Sequence, residues 1–275
     1  MKIIAVPTDF SFQTLRVMQS ALQLFPNETI HFLLFSISEL PTDTQDLLFL
    51  PSQKEQFTIE IRENFGKGIN LLKKAHSYQI EQVVYDHFWG SLSGVIRQLS
   101  SNHSIDLLLL PQSEDSKMYD EQARELIQTC PCPLLFIPDT FTSKYPSKVG
   151  WIVQDDFNAN VYLQASQSLF FDETVETLFM TAVSGQNHNA LKEHMGRLLD
   201  LHAASPKLSF AFNRQAKSTR DFLETTLSHQ VDLLLLQQRR RNLSFKKKDM
   251  LIEEISLLSP VPVLIFPHNH FIKAA

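Results

Sequence analysis

Ile105-Asp106-Leu107-Leu108-Leu109-Leu110-Pro111-Gln112 returns later in the chain as Val231-Asp232-Leu233-Leu234-Leu235-Leu236-Gln237-Gln238. Four consecutive leucines bounded by polar residues suit a short strand buried on both faces, the kind found inside a parallel sheet. Each copy leads, through a charged stretch and a helical pattern, into a proline-flanked apolar run. The first is Pro131-Cys132-Pro133-Leu134-Leu135-Phe136-Ile137-Pro138 and the second is Pro260-Val261-Pro262-Val263-Leu264-Ile265-Phe266-Pro267. Such ordered self-similarity makes the chain two versions of one unit.

Outward from the repeat, strands alternate with helices. Residues 2–7 form a short apolar run followed by the turn Thr8-Asp9-Phe10-Ser11, with Ser11 placed as a helix N-cap. Leu15, Met18, Leu22 and Phe25 carry helical spacing, and Ile30–Ile37 reads as a second buried strand. After an irregular insertion at about 41–53, Phe57, Ile61, Phe65, Ile69 and Leu72 mark one face of a long amphipathic helix. A strand at Gln82–Tyr85, a helix from about Ser91, Leu107–Leu110, a helix at 118–129 and Leu134–Ile137 complete the first copy. A linker-like stretch, Pro138 to Ser147, precedes a restart at Val149. Val149–Asn158 aligns with Ile3–Ser11, Asp156-Phe157 standing against Asp9-Phe10. Helices to about Leu169, at 188–203, at 216–229 and at 248–258 then alternate with strands near 178–183, 208–212, 233–236 and 263–266. The expected domains are 1–140 and 148–268, each a parallel sheet covered by helices. The offset between copies falls from 147 residues at the first strand to 129 at the last, so the second copy is the shorter.

Bulk properties narrow the function. The 275 residues are 43% hydrophobic and 20% charged, with a net charge of -5. Residues 1–143 hold 10 basic and 17 acidic side chains, and the remainder 15 and 13, so the copies differ in surface charge. No apolar run approaches the roughly 18 residues of a membrane helix. The opening Met-Lys-Ile-Ile-Ala-Val runs into a strand pattern without the layout of a cleavable signal. The two cysteines, Cys130 and Cys132, form neither a disulfide framework nor a CxxC pair. A cytoplasmic protein is expected. There is no HExxH and no Gly-x-Ser-x-Gly elbow, so metalloprotease and hydrolase chemistry lack an anchor. His268-x-His270 lies in the tail and is read as a tail rather than a metal site. Cys132 reads as a small packed hydrophobe. His87-Phe88-Trp89-Gly90 ends the third strand at the edge where open α/β sheets place ligands. Trp89 there is read first as an aromatic packed on the sheet edge.

The Val6-Pro7-Thr8-Asp9-Phe10-Ser11 turn, the Asp106–Ile137 block and the Cys130-Pro131-Cys132-Pro133-Leu134-Leu135-Phe136-Ile137 ending resemble the universal stress protein family, in a tandem form covering nearly the whole chain. The resemblance implies two Rossmann-like or flavodoxin-like domains of the adenine nucleotide alpha hydrolase type, each with a five-stranded parallel sheet and about four helices. Some members bind ATP, through a Gly-x-x-Gly loop after the fourth strand and a Gly-Ser or Gly-Thr about nine residues later. Glycine lets backbone N–H groups close around phosphate, and the next helix N-terminus adds favourable partial charge. Here Pro111 and Glu114 stand where the first two glycines would be, and Asp120-Glu121 falls near the third position. The chain has seven glycines, at 66, 68, 90, 94, 150, 185 and 196, and none follows the fourth strand of either copy. Proline removes a donor, and acidic side chains repel a triphosphate.

The expected function is accordingly a non-catalytic stress-response or regulatory binding protein with no bound cofactor. The alternative is an adenine-nucleotide switch or weak ATPase. It would use a residual pocket around Asp9, which resembles the family aspartate facing the adenosine end. In the second copy Arg239, Arg240, Arg241, Lys246, Lys247 and Lys248 form a candidate anion or partner site. Its bland counterpart is a solvated charged loop, and only Phe245 offers a base-stacking ring, so nucleic acid is not expected. By the resemblance, Leu134–Ile137 and Val263–Phe266 would meet as an internal pseudo-dimer, leaving room for a homodimer and a protein partner.

Overall fold

The computed structural model describes residues 1–38, 55–112, 117–142, 144–153, 175–181, 208–212, 218–238 and 246–267. The 41–53 insertion, Glu114, Asp156, the helices expected up to Leu169 and at 188–203, and the His268-x-His270 tail lie outside them. The described chain forms two compact units, Met1–Pro111 and Gln112–Ala275.

In the first unit the order is β1 (Lys2–Pro7), α1 (Phe12–Leu24), β2 (Ile30–Ser38), α2 (Glu55–Ala75), β3 (Ile80–Trp89), α3 (Leu92–Asn102) and β4 (Leu107–Gln112). The strands lie in the order β3-β2-β1-β4, all parallel. The chain thus starts in the middle of the sheet, moves outward twice, and returns to the other side of β1. Ile4, Ala5 and Val6, Phe32 to Phe35 apart from the slightly accessible Leu33, and Leu107 to Leu110 are completely enclosed. Each such aliphatic side chain contributes about 1.5–3 kcal/mol of transfer free energy, which is why the short apolar runs hold as strands. Ser11 takes the N-cap position of α1 without a side-chain bond to the helix, whereas Ser91 caps α3 by accepting the Gly94 N–H at 3.3 Å. Gln79, buried beside the far end of α1, donates to the carbonyls of Leu22 and Phe25 at 2.9 and 3.1 Å. It thereby satisfies two of the acceptors a helix end leaves open. Gly68 lets α2 approach α1, because a Cβ there would run into the side chain of Leu15.

The second unit continues with α4 (Lys117–Thr129), β5 (Leu134–Pro138), β6 (Lys148–Val153), β7 (Glu176–Thr181) and β8 (Leu208–Phe212). It ends with α5 (Thr219–Ser228), β9 (Leu233–Gln237), α6 (Lys246–Leu258) and β10 (Val263–Phe266). Its strands run β5-β10-β9-β6-β7-β8. All neighbours are parallel except β5 and β10, which pair antiparallel with Leu134 opposite Ile265, Leu135 opposite Leu264 and Phe136 opposite Val263. Leu135 and Leu264 occupy the same place in the two repeats, so this strand pair has local twofold symmetry about them. The parallel α/β architecture anticipated from the alternating pattern is the architecture observed.

The aspartate before each leucine run has a defined task. Asp106 bonds to β1 twice, its N–H donating to the Ile3 carbonyl at 3.0 Å, while its side-chain Oδ2 accepts the Ile3 N–H at 2.7 Å. Asp232 repeats this against β6. Its N–H donates to the Lys148 carbonyl at 2.8 Å, and its Oδ2 accepts from the Ser147 N–H, the Ser147 hydroxyl and the Lys148 N–H at 2.9, 2.6 and 3.1 Å. The Lys144 ammonium lies 2.6 Å from its other oxygen. These bonds equate Ile3 with Lys148 and hence Ala5 with Gly150, a register that differs from the sequence alignment of the two opening strands. The reason for glycine is steric: a Cβ at 150 would meet Val231 and Leu234 side chains at 2.9 and 3.1 Å and the tip of Met180 at 2.6 Å.

Burial works against the charge on Asp232, but Lys144, the Ser147 hydroxyl and the two backbone N–H groups outweigh it and hold the carboxyl below its ordinary range. Asp232→Ala should destabilise the protein by about 1–3 kcal/mol, the usual effect of stranding buried donors. Because the native pKa is depressed, this stabilisation is present above the unfolded value of about 3.9 and is lost as pH falls through the native value. Urea unfolding of wild type and variant should therefore show a gap at neutral pH that closes in acid.

Candidate aromatic crevice

Open parallel sheets place ligands beyond the carboxyl ends of their strands. In the first unit that edge carries a crevice of about 490 Å³ lined by Phe10, Ser36, Arg62, Phe65, Gly66, Tyr85, Asp86 and His87. The turn after β1 supplies Phe10, the ends of β2 and β3 supply Ser36 and Tyr85 to His87, and α2 supplies the rest. The volume falls within the range of small-molecule sites.

The turn is built by its own side chains. The Thr8 hydroxyl accepts the Phe10 N–H at 2.9 Å, and Asp9 Oδ1 accepts the Ser11 N–H at 2.9 Å. These bonds hold Phe10 at φ 66°, a left-handed conformation uncommon outside glycine. The strained residue turns its ring onto Tyr85, stacked at 5.3 Å with the planes 8° apart, and edge-on to Phe65 at 5.8 Å. Phe65 meets Tyr85 edge-on at 6.1 Å, closing a three-ring cluster. The Arg62 guanidinium caps it, 5.0 Å from the centre of the Phe10 ring, a cation–π contact worth roughly 0.5–1 kcal/mol at an exposed site. Partial burial against these groups pushes the phenol of Tyr85, itself about half exposed, above the ordinary tyrosine range, although its hydrogen bond to Thr8 and the charge of Arg62 pull the other way. Opposite the rings the wall is polar. Ser36 Oγ lies 2.8 Å from His87 Nδ1 across the β2–β3 pair, and Asp86 Oδ1 accepts the His87 N–H at 2.8 Å.

Asp9, singled out in the sequence, thus lies beside the crevice with one carboxylate oxygen committed to its own turn and the side chain exposed. Trp89 does not line the crevice. It stands half-exposed at the end of β3 with its ring edge-on to His87 at 5.5 Å. Phe10, Arg62, Phe65 and Tyr85 were not singled out as a site. By its spacing Phe65 belongs to the apolar face of α2, and β3 is longer than its apolar centre suggests, running from Ile80 to Trp89. The signal available was the cluster of rings and charges near strand ends, Phe10 and Tyr85-Asp86-His87.

At the expected phosphate-loop position, β4 continues as a strand through Pro111 and Gln112. Gln112, buried at the start of the second unit, donates to the Ser256 carbonyl of α6 at 3.1 Å. Glu121 is exposed on α4. In the second copy, Arg239, Arg240 and Arg241 lie outside the described residues. Lys246, Lys247 and Lys248 open α6, and only their backbone is described. Among the described residues no cluster of three or more His, Cys, Asp or Glu could hold a metal ion, and no helix is long and apolar enough to cross a membrane.

No protein-family model and no curated protein matches the chain. Solved structures do. A universal stress protein from Archaeoglobus fulgidus DSM 4304 is 11% identical, with 96% of each chain covered and a TM-score of 0.64. The chain has the universal stress protein fold. A putative universal stress protein from Pseudomonas aeruginosa UCBPP-PA14 is 13% identical at a TM-score of 0.57, covering 99% of this chain and 95% of its own. The cytoplasmic domain of a prokaryotic cation chloride cotransporter is similar too, at 14% identity and a TM-score of 0.50, covering 96% and 94%. At such identities the likeness establishes the fold, and function rests on the residues at its sites.

The three-ring cluster has a direct test. Phe65→Ala, which opens a cavity at a nearly enclosed side chain, should destabilise the protein by about 3–5 kcal/mol. It should also widen the access of water to Tyr85, which is already about half exposed, so that the phenol ionises at lower pH. Ultraviolet titration, with Tyr85→Phe subtracted, reads that shift.

Proposed function

We propose that this chain is a regulatory binding protein of the universal stress type that catalyses no reaction and does not hold ATP. One observation carries the reading: at the end of β4, where the family's ATP binders place a glycine loop, strand structure runs through Pro111 to Gln112, whose side chain is bonded to α6. Backbone committed to a strand cannot wrap a phosphate, and proline has no N–H to offer. The acidic residues that follow in sequence, Glu114, Asp115, Asp120 and Glu121, add repulsion toward a triphosphate. The antiparallel pairing of β5 with β10 supports an internal pseudo-dimer through Leu134–Ile137 and Val263–Phe266. Strand pairing there also shields two edges from aggregation. Arg239, Arg240, Arg241, Lys246, Lys247 and Lys248 would supply a basic surface for an anionic partner.

The aromatic crevice beside Asp9 favours a second reading, an adenine-nucleotide switch in which a flat base rests against the ring cluster and the phosphates remain loosely held. The two readings separate cleanly. Gently purified protein should carry no nucleotide by mass spectrometry of the denatured supernatant, and Mg-ATP should leave the melting temperature unchanged. Near-stoichiometric nucleotide, or a Mg-ATP stabilisation abolished by Asp9→Ala, would establish the switch instead. Replacing the six cations should weaken binding to heparin and flatten its salt dependence, since each released counterion contributes to that slope.

A further inference from the structure

Outside the crevice, two thiols, those of Cys130 and Cys132, lie side by side among the described residues. Both are reduced thiols, both are nearly enclosed, and their Sγ atoms lie 3.5 Å apart. The contact arises from the way α4 ends. The Cys130 N–H makes the last helical bond, to the Leu126 carbonyl at 2.8 Å, and Pro131 and Cys132 then form the bend that leads into β5, with the two thiols side by side. A disulfide requires sulfurs about 2.05 Å apart.

We propose that Cys130 and Cys132 are a reversible oxidation site, closing to a disulfide when hydrogen peroxide reaches them. The thiolate of one cysteine attacks a peroxide oxygen. The O–O bond breaks, the departing oxygen leaves as water after protonation, and the sulfur becomes a sulfenic acid. The second thiol attacks that sulfur, the S–S bond forms, the S–O bond breaks, and a second water departs. The sulfurs lose two electrons and the peroxide gains them.

Three features fit a sensor rather than a structural bond. A ring closed over a single intervening residue is strained, and strained disulfides are the readily reduced, regulatory ones. The contact with Cys132, together with burial, pushes the Cys130 thiol up, which slows its attack on an oxidant, so the pair stays reduced toward weak ones. The site also has something to move. Leu134, two residues beyond Cys132, pairs with Ile265 of β10, and Gln238, which precedes Arg239, donates to the Ile127 carbonyl near the end of α4. Drawing the two thiols together acts on both connections. This inference is independent of whether the crevice binds a nucleotide.

The test uses the full-length native chain. It is treated with a stoichiometric amount of hydrogen peroxide, quenched with catalase, denatured, alkylated and measured by intact mass. Both cysteines should lose their label, the mass should fall by two hydrogen atoms in a monomeric product, and dithiothreitol should restore both labels. Cys130→Ser should instead trap a sulfenic acid on Cys132 that reacts with dimedone. Retention of both labels at peroxide doses that already oxidise methionine would overturn the proposal. So would a disulfide that forms only in denaturant or only between chains, or protection from alkylation that follows added copper(I) rather than peroxide.

Discussion

The structure depends on how the first strand of each copy is held against its inner neighbour. Parallel strands have no tight turn to set their register, and the partners here are separated by most of a domain in sequence. β1 and β4 meet through few backbone bonds, with Ile4 opposite Leu107 and Ala5 opposite Leu108. The carboxylate of Asp106 adds a bond from outside the ladder, as Asp232 does for β6 and β9. A one-residue slip would break the side-chain and backbone bonds to Ile3 together. It would also turn the leucines to opposite faces. With the register fixed, the turn after β1 arrives at the ends of β2 and β3, where Phe10 meets Tyr85. The crevice is a consequence of the clamp at the opposite end of the strands.

Much of this could be read from the residues. The buried strands announce themselves as apolar runs because both faces of a parallel sheet are covered, and the expected runs at 208–212 and 263–266 coincide with β8 and β10. The aspartate's role was invisible because its partners are distant: Asp106 looked like a repeat marker, and only the fold brings Ile3 to it. Gln79 capping α1 is hidden for the same reason. The crevice was half legible. Asp9 and His87 were pointed to the correct strand ends, but the ring cluster joins three elements whose separate patterns say only that each is amphipathic. Cys130 and Cys132 were dismissed as a pair because CxC fits no familiar framework. Their proximity depends on where α4 stops and which way Pro131 turns the chain.

The copies keep their clamps yet have exchanged volume within the clamped strands. By the hydrogen-bond register, Ala5 and Val6 in β1 correspond to Gly150 and Trp151 in β6. The second copy therefore has a smaller residue followed by a much larger one. Trp151 is fully enclosed and stacks on Phe266 with ring centres 5.7 Å apart and planes 6° apart, where the first copy has Ile137 in place of Phe266. The glycine makes room beside Val231, Leu234 and Met180, and the tryptophan fills space on the opposite face. Close-packed interiors tolerate such exchanges when they are coordinated and lose stability when one partner changes alone. A first-copy residue at either position, transplanted singly, would leave a void beside Phe266 or a clash at Val231. The two cores differ past interchangeability, while the aspartate clamps and the leucine strands recur. What is common to the copies is thus the means of holding their strands in register, and what differs is the packing of side chains around them.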